Sequence, residues 1–343
     1  MKFFLKVKRT VKNVTVTGNN DYQEILHAIT SEPDQILVVC HVSPDGDAIG
    51  AGLAMARFLE QTGKSFTVVN DDPVPSRYDF LPGVERFQRT EHVSGKFNTI
   101  VSLDCADLKR LGNTINLFAD AHRLINIDHH ETNNSYGELN LVQAEASATC
   151  LVLYRMFRAS DITIDRDMAI LLYTGILFDT GGFRYNNTTP EIHHAAADLL
   201  SRGFEPFLIA DRVLESLTRE QVELVRLGLS TLKIHDTGRI AYVVVSQELL
   251  HLSGASDDDT EVLLPYTRSL SGIEVGLLFR ERPDGSVKVS LRSRDRVDVA
   301  NLALHFGGGG HVRAAGCSLD GPIDQAVNLL VSAVAEAVNT AFS

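Results

Sequence analysis

The stretch that most constrains the fold is Gln35-Ile36-Leu37-Val38-Val39-Cys40. It is a continuous apolar run of strand length that stops at His41-Val42-Ser43-Pro44-Asp45-Gly46-Asp47-Ala48-Ile49-Gly50. Unbroken apolar character, without alternation, is what a strand buried on both faces of a parallel sheet requires. A helix follows at once, and its small residues Ala48, Gly50, Ala51, Gly52 and Ala54 allow close packing. Residues 65–70, 99–103 and 124–127 read as further strands, and residues 20–32 have helical spacing with Asn20 or Asp21 as cap. This β-α-β alternation predicts a doubly wound, mainly parallel α/β domain, whose functional groups gather at the carboxyl ends of strands.

Those ends hold the unusual residues. His41, Asp45 and Asp47 follow the first strand, Asp104 and Asp107 the third, and Asp128, His129 and His130 the fourth. An apolar helix over 168–178 runs into Asp179-Thr180-Gly181-Gly182-Phe183. Each has a plain structural alternative. Asp104 could cap a helix near Leu108, Asp45-Gly46 could form only a turn, and Asp179 could end a helix with Gly181 as its C-cap. Four such ends carrying Asp or His argue jointly for a site. His41, Asp45, Asp47, Asp104, His129 and Asp179 form an oxygen and imidazole set without thiolate, suited to Mn²⁺, Mg²⁺ or Fe²⁺. Six donors exceed the need of one catalytic ion and suit two that share a carboxylate. Ions roughly 3.5 to 4 Å apart can hold a hydroxide nucleophile and clamp a phosphoryl group. Asp128 and His130 would orient ligands, contact phosphate or transfer protons.

From Thr189 the character changes. Residues 189–233 read as a helical connector between a catalytic domain over 1–188 and a smaller α/β domain with a mixed sheet over 234–343. Strands are expected at 240–246, 273–280 and 287–292, the last two joined by a hairpin at Pro283-Asp284-Gly285. Helices are expected at 297–304 and 324–341. Between Arg280 and Arg313 seven Lys/Arg stand against four acids, in a chain of formal net charge −12. Arg292 and Arg294 leave a strand, and Gly307, Gly308, Gly309 and Gly310, before His311, could offer backbone N–H groups to an anion.

With 343 residues, 44% hydrophobic and 22% charged, the composition is that of a soluble globular protein of two domains. No run reaches membrane-span length, and the N-terminal apolar stretch is too interrupted by Lys and Arg for a signal peptide. The acidic balance argues against binding long duplex nucleic acid. Four scattered cysteines, Cys40, Cys105, Cys150 and Cys317, read as reduced core thiols of a cytoplasmic protein.

These motifs resemble the DHH phosphoesterase superfamily, which includes RecJ-like exonucleases and manganese-dependent inorganic pyrophosphatases. HVSPDGDAIG (41–50), SLDCAD (102–107), NIDHH (126–130) and GILFDTGGF (175–183) match its four signatures. LRSRDRVDVANLALHFGGGGHVRAAGC (291–317) looks like the DHH-associated domain of the branch of nanoRNases that also act on 3′-phosphoadenosine 5′-phosphate. The resemblance implies one Mn²⁺ at His41, Asp45 and Asp104 and a second at Asp47, Asp104, His129 and Asp179, with Asp104 bridging. His130 would meet the scissile phosphate. Arg292, Arg294 and His311, with the glycine run, would hold the substrate's terminal phosphate or base across an interdomain cleft. Ala51 departs from the Ser common in this branch but touches no proposed ligand. The implied activity is hydrolysis of very short RNA, of linear dinucleotides such as pGpG and of 3′-phosphoadenosine 5′-phosphate, by a homodimer. Competing readings are a nucleotide sensor without turnover and a single-strand exonuclease, the latter disfavoured by the absence of Trp and the acidic charge.

Overall fold

The computed structural model describes residues 12–14 and 19–343, so the N-terminal stretch read above as unlike a signal peptide lies largely outside it. The chain divides into two compact units at Ser216 and Leu217.

The first unit is built on seven parallel strands: β1 (Lys12–Val14), β2 (Ile36–Cys40), β3 (Phe66–Asn70), β4 (Phe87–Arg89), β5 (Phe97–Leu103), β6 (Phe118–Asp128) and β7 (Leu139–Val142). Their order is β1-β7-β6-β5-β2-β3-β4. The chain therefore winds outward from β2 in one direction through β3 and β4, then returns to lay β5, β6 and β7 on the other side. The reversal between β2 and β5 is where a doubly wound sheet opens a crevice at its carboxyl edge.

Five helices form one core with one face of the sheet: α1 (Asn19–Thr30), α2 (Gly46–Gln61), α3 (Thr149–Arg158), α4 (Arg166–Asp179) and α5 (Pro190–Leu200). Ile36, Val38 and Cys40 of β2 join that core, whereas Leu37 and Val39 join a smaller one with Leu111 and Leu117. Both sides of β2 are thus buried, the reason its sequence does not alternate. The smaller core is closed by a 3₁₀ segment, Leu108–Leu117. The close packing expected of α2 is present. A Cβ at Gly50 would lie 2.6 Å from the Leu171 carbonyl oxygen of α4.

The stretch read as a connector is shared between the units. Ile192, Ala195, Ala196 and Leu199 of α5 belong to the first core, and α6 (Pro206–Ala210) follows them. The second unit begins with α7 (Arg219–Gly228), opened by a capping box of Thr218 and Gln221, whose Leu224 is buried in that unit's own core. Apolar burial on each side, rather than a linker composition, sets the boundary.

The second unit carries β8 (Lys233–Ile234), β9 (Ile240–Val245), β10 (Val275–Glu281), β11 (Val287–Ser293), β12 (Gly309–His311) and β13 (Ala314–Leu319) in the order β12-β13-β11-β10-β9-β8. Only β9 and β10 pair in parallel, so the sheet is mixed, as expected. The β10–β11 hairpin turns at Gly285, whose φ of +84° suits a residue without Cβ. α10 (Val299–His305) and α11 (Ile323–Phe342) cover one face; α7, α8 (Gln247–Ser253) and α9 (Leu264–Arg268) lie with the other.

Candidate metal centre at the carboxyl edge of the first sheet

Asp45 is the N-cap of α2, and its Oδ1 accepts the backbone N–H of Asp47 at 3.0 Å and of Ala48 at 3.1 Å. One oxygen therefore does the capping work that the plain reading assigned to it. The other, Oδ2, lies 3.7 Å from Nε2 of His41. Nδ1 of His41 is 2.7 Å from the Val42 carbonyl oxygen, which places the proton there and turns the Nε2 lone pair toward the carboxylates.

Asp47, fully buried, accepts the backbone N–H of Thr149 at 2.5 Å on Oδ2 and that of Cys150 at 2.9 Å on Oδ1. These are the first amides of α3, which lack partners inside the helix and favour negative charge.

Asp104 leaves β5 with φ +55°, a left-handed conformation that Asp and Asn tolerate better than most residues. It caps nothing; Asp107 caps the following 3₁₀ segment through the Lys109 N–H at 2.8 Å. Its two oxygens face apart. Oδ2 lies 3.5 Å from Nε2 of His41, and Oδ1 lies 3.5 Å from Nε2 of His129 and 3.7 Å from Nδ1 of His130. Thr149 donates its hydroxyl to Oδ1 at 3.0 Å.

His129 follows β6 and is buried, with Nδ1 3.3 Å from the Ala146 carbonyl oxygen and Nε2 3.2 Å from Oδ2 of Asp179. Asp179 ends α4, and the plain reading of this end also holds. Gly181 at φ +56° and Gly182 send their N–H groups to the carbonyls of Phe178 and Leu177, a Schellman cap. Asp128 is fully buried. It accepts Asn133 Nδ2 at 2.6 Å and His130 Nδ1 at 2.7 Å.

Three donor groups result, each with ligand atoms within 4.8 Å of one another: His41, Asp45 and Asp104; Asp47, His129 and Asp179; and Asp104, His129 and His130. Burial, together with the neighbouring negative charges, pushes Asp47 and Asp179 well above the ordinary carboxylate range. Burial would do the same to Asp104, but His41, His130 and His129 hold it below that range. Burial also lowers His129, favouring the neutral ring that can ligate. For His130 burial is outweighed by the hydrogen bond to Asp128 and the charge of Asp104, and its pKa rises to about 9. Carboxylates crowded at this depth are what a bound cation relieves. The adjacent thiols Cys40 and Cys150 are pushed up by burial and stay neutral, so the donor set is oxygen and imidazole. Divalent cations fit it.

Sequence reading missed Thr149, the α3 amides, Asn133 and Gly175. A Cβ on Gly175 would come within 2.3 Å of Asp47 Oδ1. Thr149→Val keeps the shape of the side chain and removes the bond to Asp104. Metal affinity should fall about 10- to 100-fold, read by titrating Mn²⁺ into the purified variant; an unchanged affinity would remove Thr149 from the site.

The second unit's candidates are less uniform than their spacing implied. Arg292 is half-buried with Nη2 3.8 Å from Glu261 Oε2, and Arg294 is exposed with Nη2 2.9 Å from the Arg268 carbonyl oxygen. Arg280 is buried against Asp257 and Thr260, Arg313 donates to the Val297 carbonyl at 2.9 Å, and Arg296 lies 4.6 Å over the Phe342 ring. Those three serve the fold. The glycine run is ordered structure. Gly307 (φ +70°) and Gly308 send their N–H groups to Leu304 and Ala303, a second Schellman cap, so these two amides are not available to an anion. Gly309, Gly310 and His311 form β12 opposite Gly316, Ala315 and Ala314. A Cβ at Gly308 would lie 2.1 Å from the Gly316 oxygen, which accounts for glycine there by close backbone approach.

Residues 35–176 match the DHH family N-terminal domain and residues 240–340 the DHHA1 domain. Together with the α/β fold this places the chain in the DHH family, whose phosphoesterases are metal-dependent hydrolases. Within it, the chain is similar to the proteins called bifunctional oligoribonuclease and PAP phosphatase NrnA. It is 36% identical to that of Thermus thermophilus over 320 residues, 93% of this chain and 94% of the relative, and 26% identical to that of Bacillus subtilis over 83% and 90%. Among solved structures, an exopolyphosphatase-related protein from Bacteroides fragilis superposes with a TM-score of 0.86 at 26% identity, covering 94% of this chain and 97% of that one. RecJ of Thermus thermophilus shares the fold, with a TM-score of 0.54 at 15% identity over 95% of this chain and 56% of that one. Among the described residues no helix is long and apolar enough to cross a membrane.

Proposed function

We propose that the protein hydrolyses the phosphodiester bonds of very short RNA, linear dinucleotides such as pGpG included, and the 3′-phosphate of 3′-phosphoadenosine 5′-phosphate. The observation that carries this reading is the divergence of the two Asp104 oxygens toward His41 on one side and His129 on the other. That is the disposition of a carboxylate shared between two ions. His41, Asp45 and Asp104 would hold one, and Asp47, Asp104, His129 and Asp179 the other, with Mn²⁺ the best match to the donors and Mg²⁺ or Fe²⁺ compatible. Such a pair supplies an activated water and neutralises charge on the phosphoryl oxygens. The chain's own residues do the rest. Asp128, anchored by Asn133, holds His130 by Nδ1 and favours its charged form, which suits the ring to a phosphate oxygen. Thr149 and the α3 amides fix Asp104 and Asp47 before substrate arrives.

The second unit takes the substrate-anchoring role, through Arg292, Arg294, His311 and the edge strand formed by Gly309 and Gly310. An anchor for a terminal phosphate favours short substrates, and the names of the similar proteins support that class. Four buried, unpaired cysteines support residence in the reducing cytoplasm. Single-turnover hydrolysis of a 5′-labelled RNA dimer, pGpG, 3′-phosphoadenosine 5′-phosphate and a long RNA, with Mn²⁺ and with chelator, tests the reading. Cleavage should require the metal and fade with length. Bound metal without turnover of any of the four would overturn it.

A further inference from the structure

Arg110 stands beside the metal centre without belonging to any of its donor groups. It lies in the 3₁₀ segment after β5, and its backbone is fixed at both ends. Its N–H donates to the Asp107 carbonyl at 2.9 Å, and its carbonyl accepts the Val42 N–H at 2.7 Å. The second bond ties the loop after β5 to the loop after β2, on opposite sides of the crevice where the strand order reverses. Leu111 next to it is fully buried, and Gly112, at φ +59°, packs so tightly that a Cβ would meet Asp71 at 2.5 Å and Val42 at 2.7 Å. The main chain that carries Arg110 therefore has little freedom.

The side chain is exposed, with Nη2 3.2 Å from Nδ1 of His41. Whichever ring nitrogen of His41 carries the proton, an imidazole is no counter-ion for the guanidinium. Asp45, Asp104 and Asp107 are neighbours in sequence or space, yet among the described residues no carboxylate is within ion-pair distance of Arg110. A cation carried on a fixed backbone at the edge of an acidic cluster, not committed to any of its acids, suits an anion brought from outside. Its contact with His41, whose Nε2 lies 3.5 Å from Oδ2 of Asp104, places it on that side of the shared carboxylate.

We infer that Arg110 binds a non-bridging oxygen of the reacting phosphate from the His41 side of Asp104, facing His130 on the other. The inference rests on the phosphoesterase reading and adds to it a substrate-binding group within the first unit. A planar guanidinium can engage two phosphate oxygens at once, which lysine cannot.

The test compares wild type, Arg110→Ala and Arg110→Lys at saturating Mn²⁺ on an RNA dimer and on 3′-phosphoadenosine 5′-phosphate, with calorimetric affinities for Mn²⁺ and for AMP. Removing a charge-assisted hydrogen bond to the reacting phosphate should lower kcat/KM about 10- to 100-fold in Arg110→Ala. Arg110→Lys should fall between, added guanidinium ion should restore part of the activity, and AMP should bind more weakly while Mn²⁺ affinity holds. Weakened Mn²⁺ binding with kcat/KM recovered at saturating metal would overturn the inference, because Arg110 would then only position His41. Unchanged kcat/KM and AMP affinity in Arg110→Ala would overturn it as well. If wild type turns over neither substrate, the function reading fails on its own, and the AMP affinities still decide whether Arg110 meets phosphate.

Discussion

An Asp104→Asn enzyme is expected to lose at least about three orders of magnitude in hydrolysis of a short RNA, because metal stabilisation of the transition state is worth several kcal/mol. Asn is the informative replacement. It preserves the size of the side chain and accepts the left-handed φ of +55° that Ala would adopt only with strain. What it removes is the second anionic oxygen, and with it the means for His41 and His129 to face a common ligand. A thermal readout separates this loss from unfolding. An ion present at a hundredfold excess over its dissociation constant stabilises the folded state by about 2.7 kcal/mol. Wild type should gain roughly 5 to 10 °C in Tm on adding Mn²⁺, and Asp104→Asn should gain little while its metal-free Tm still shows a cooperative transition. A variant that keeps both the metal-dependent Tm gain and the activity would remove Asp104 from the shared position.

Gly175→Ala is expected to damage stability and activity together, by a route no ligand substitution takes. Gly175 lies on α4 against α2 and α3, where an added Cβ would sit 2.3 Å from Oδ1 of Asp47 and 2.4 Å from Sγ of Cys150. Neither neighbour gives way easily. Asp47 is pinned by two backbone amides, and Cys150 is fully buried in the same helix that supplies them. Overpacking of this kind costs about 1 to 3 kcal/mol, a fall of roughly 2 to 10 °C in Tm. If relief comes by moving Asp47 about 1 Å, activity should drop about a hundredfold. Wild-type Tm and turnover in this variant would mean that α3 and α4 can part without disturbing the site.

Much of the first unit was legible because a parallel sheet writes its plan into short apolar runs. The run of β2 is buried on both faces, and the acids and imidazoles that follow β2, β5 and β6 converge because parallel strands end on the same edge. Once the sheet is parallel, His41, Asp45, Asp47, Asp104 and His129 have one place to meet, and Asp179 reaches it from the end of α4. What remained hidden came from interactions without a sequence signature. β7 is four residues, LNLV, with a polar Asn in its middle, and gave no strand pattern, while the first half of β6 is polar and partly exposed, so only its buried end at 124–127 read as a strand. Thr149 acts from a helix start, and the rule of looking at strand ends passes over it. The arginines of the second unit illustrate the opposite error. Counting charges between Arg280 and Arg313 ignored that Arg280, on β10, is buried against Asp257 and Thr260 and that Arg296 and Arg313 serve the packing of that unit. The glycine run misled for a related reason. Two of its amides cap α10, and its close approach to β13 is a matter of backbone spacing, which a string of glycines reports only as freedom.

The grip of α3 on Asp47 is made by main-chain amides, which every residue except proline possesses. Drift in the side chains of that first turn can proceed without loosening the carboxylate, provided the turn stays wound. Heritable precision at this point is therefore stored in a backbone shape and not in any one letter of the sequence. Local fraying of one helical turn, invisible to an alignment, would release the ligand as surely as deleting it.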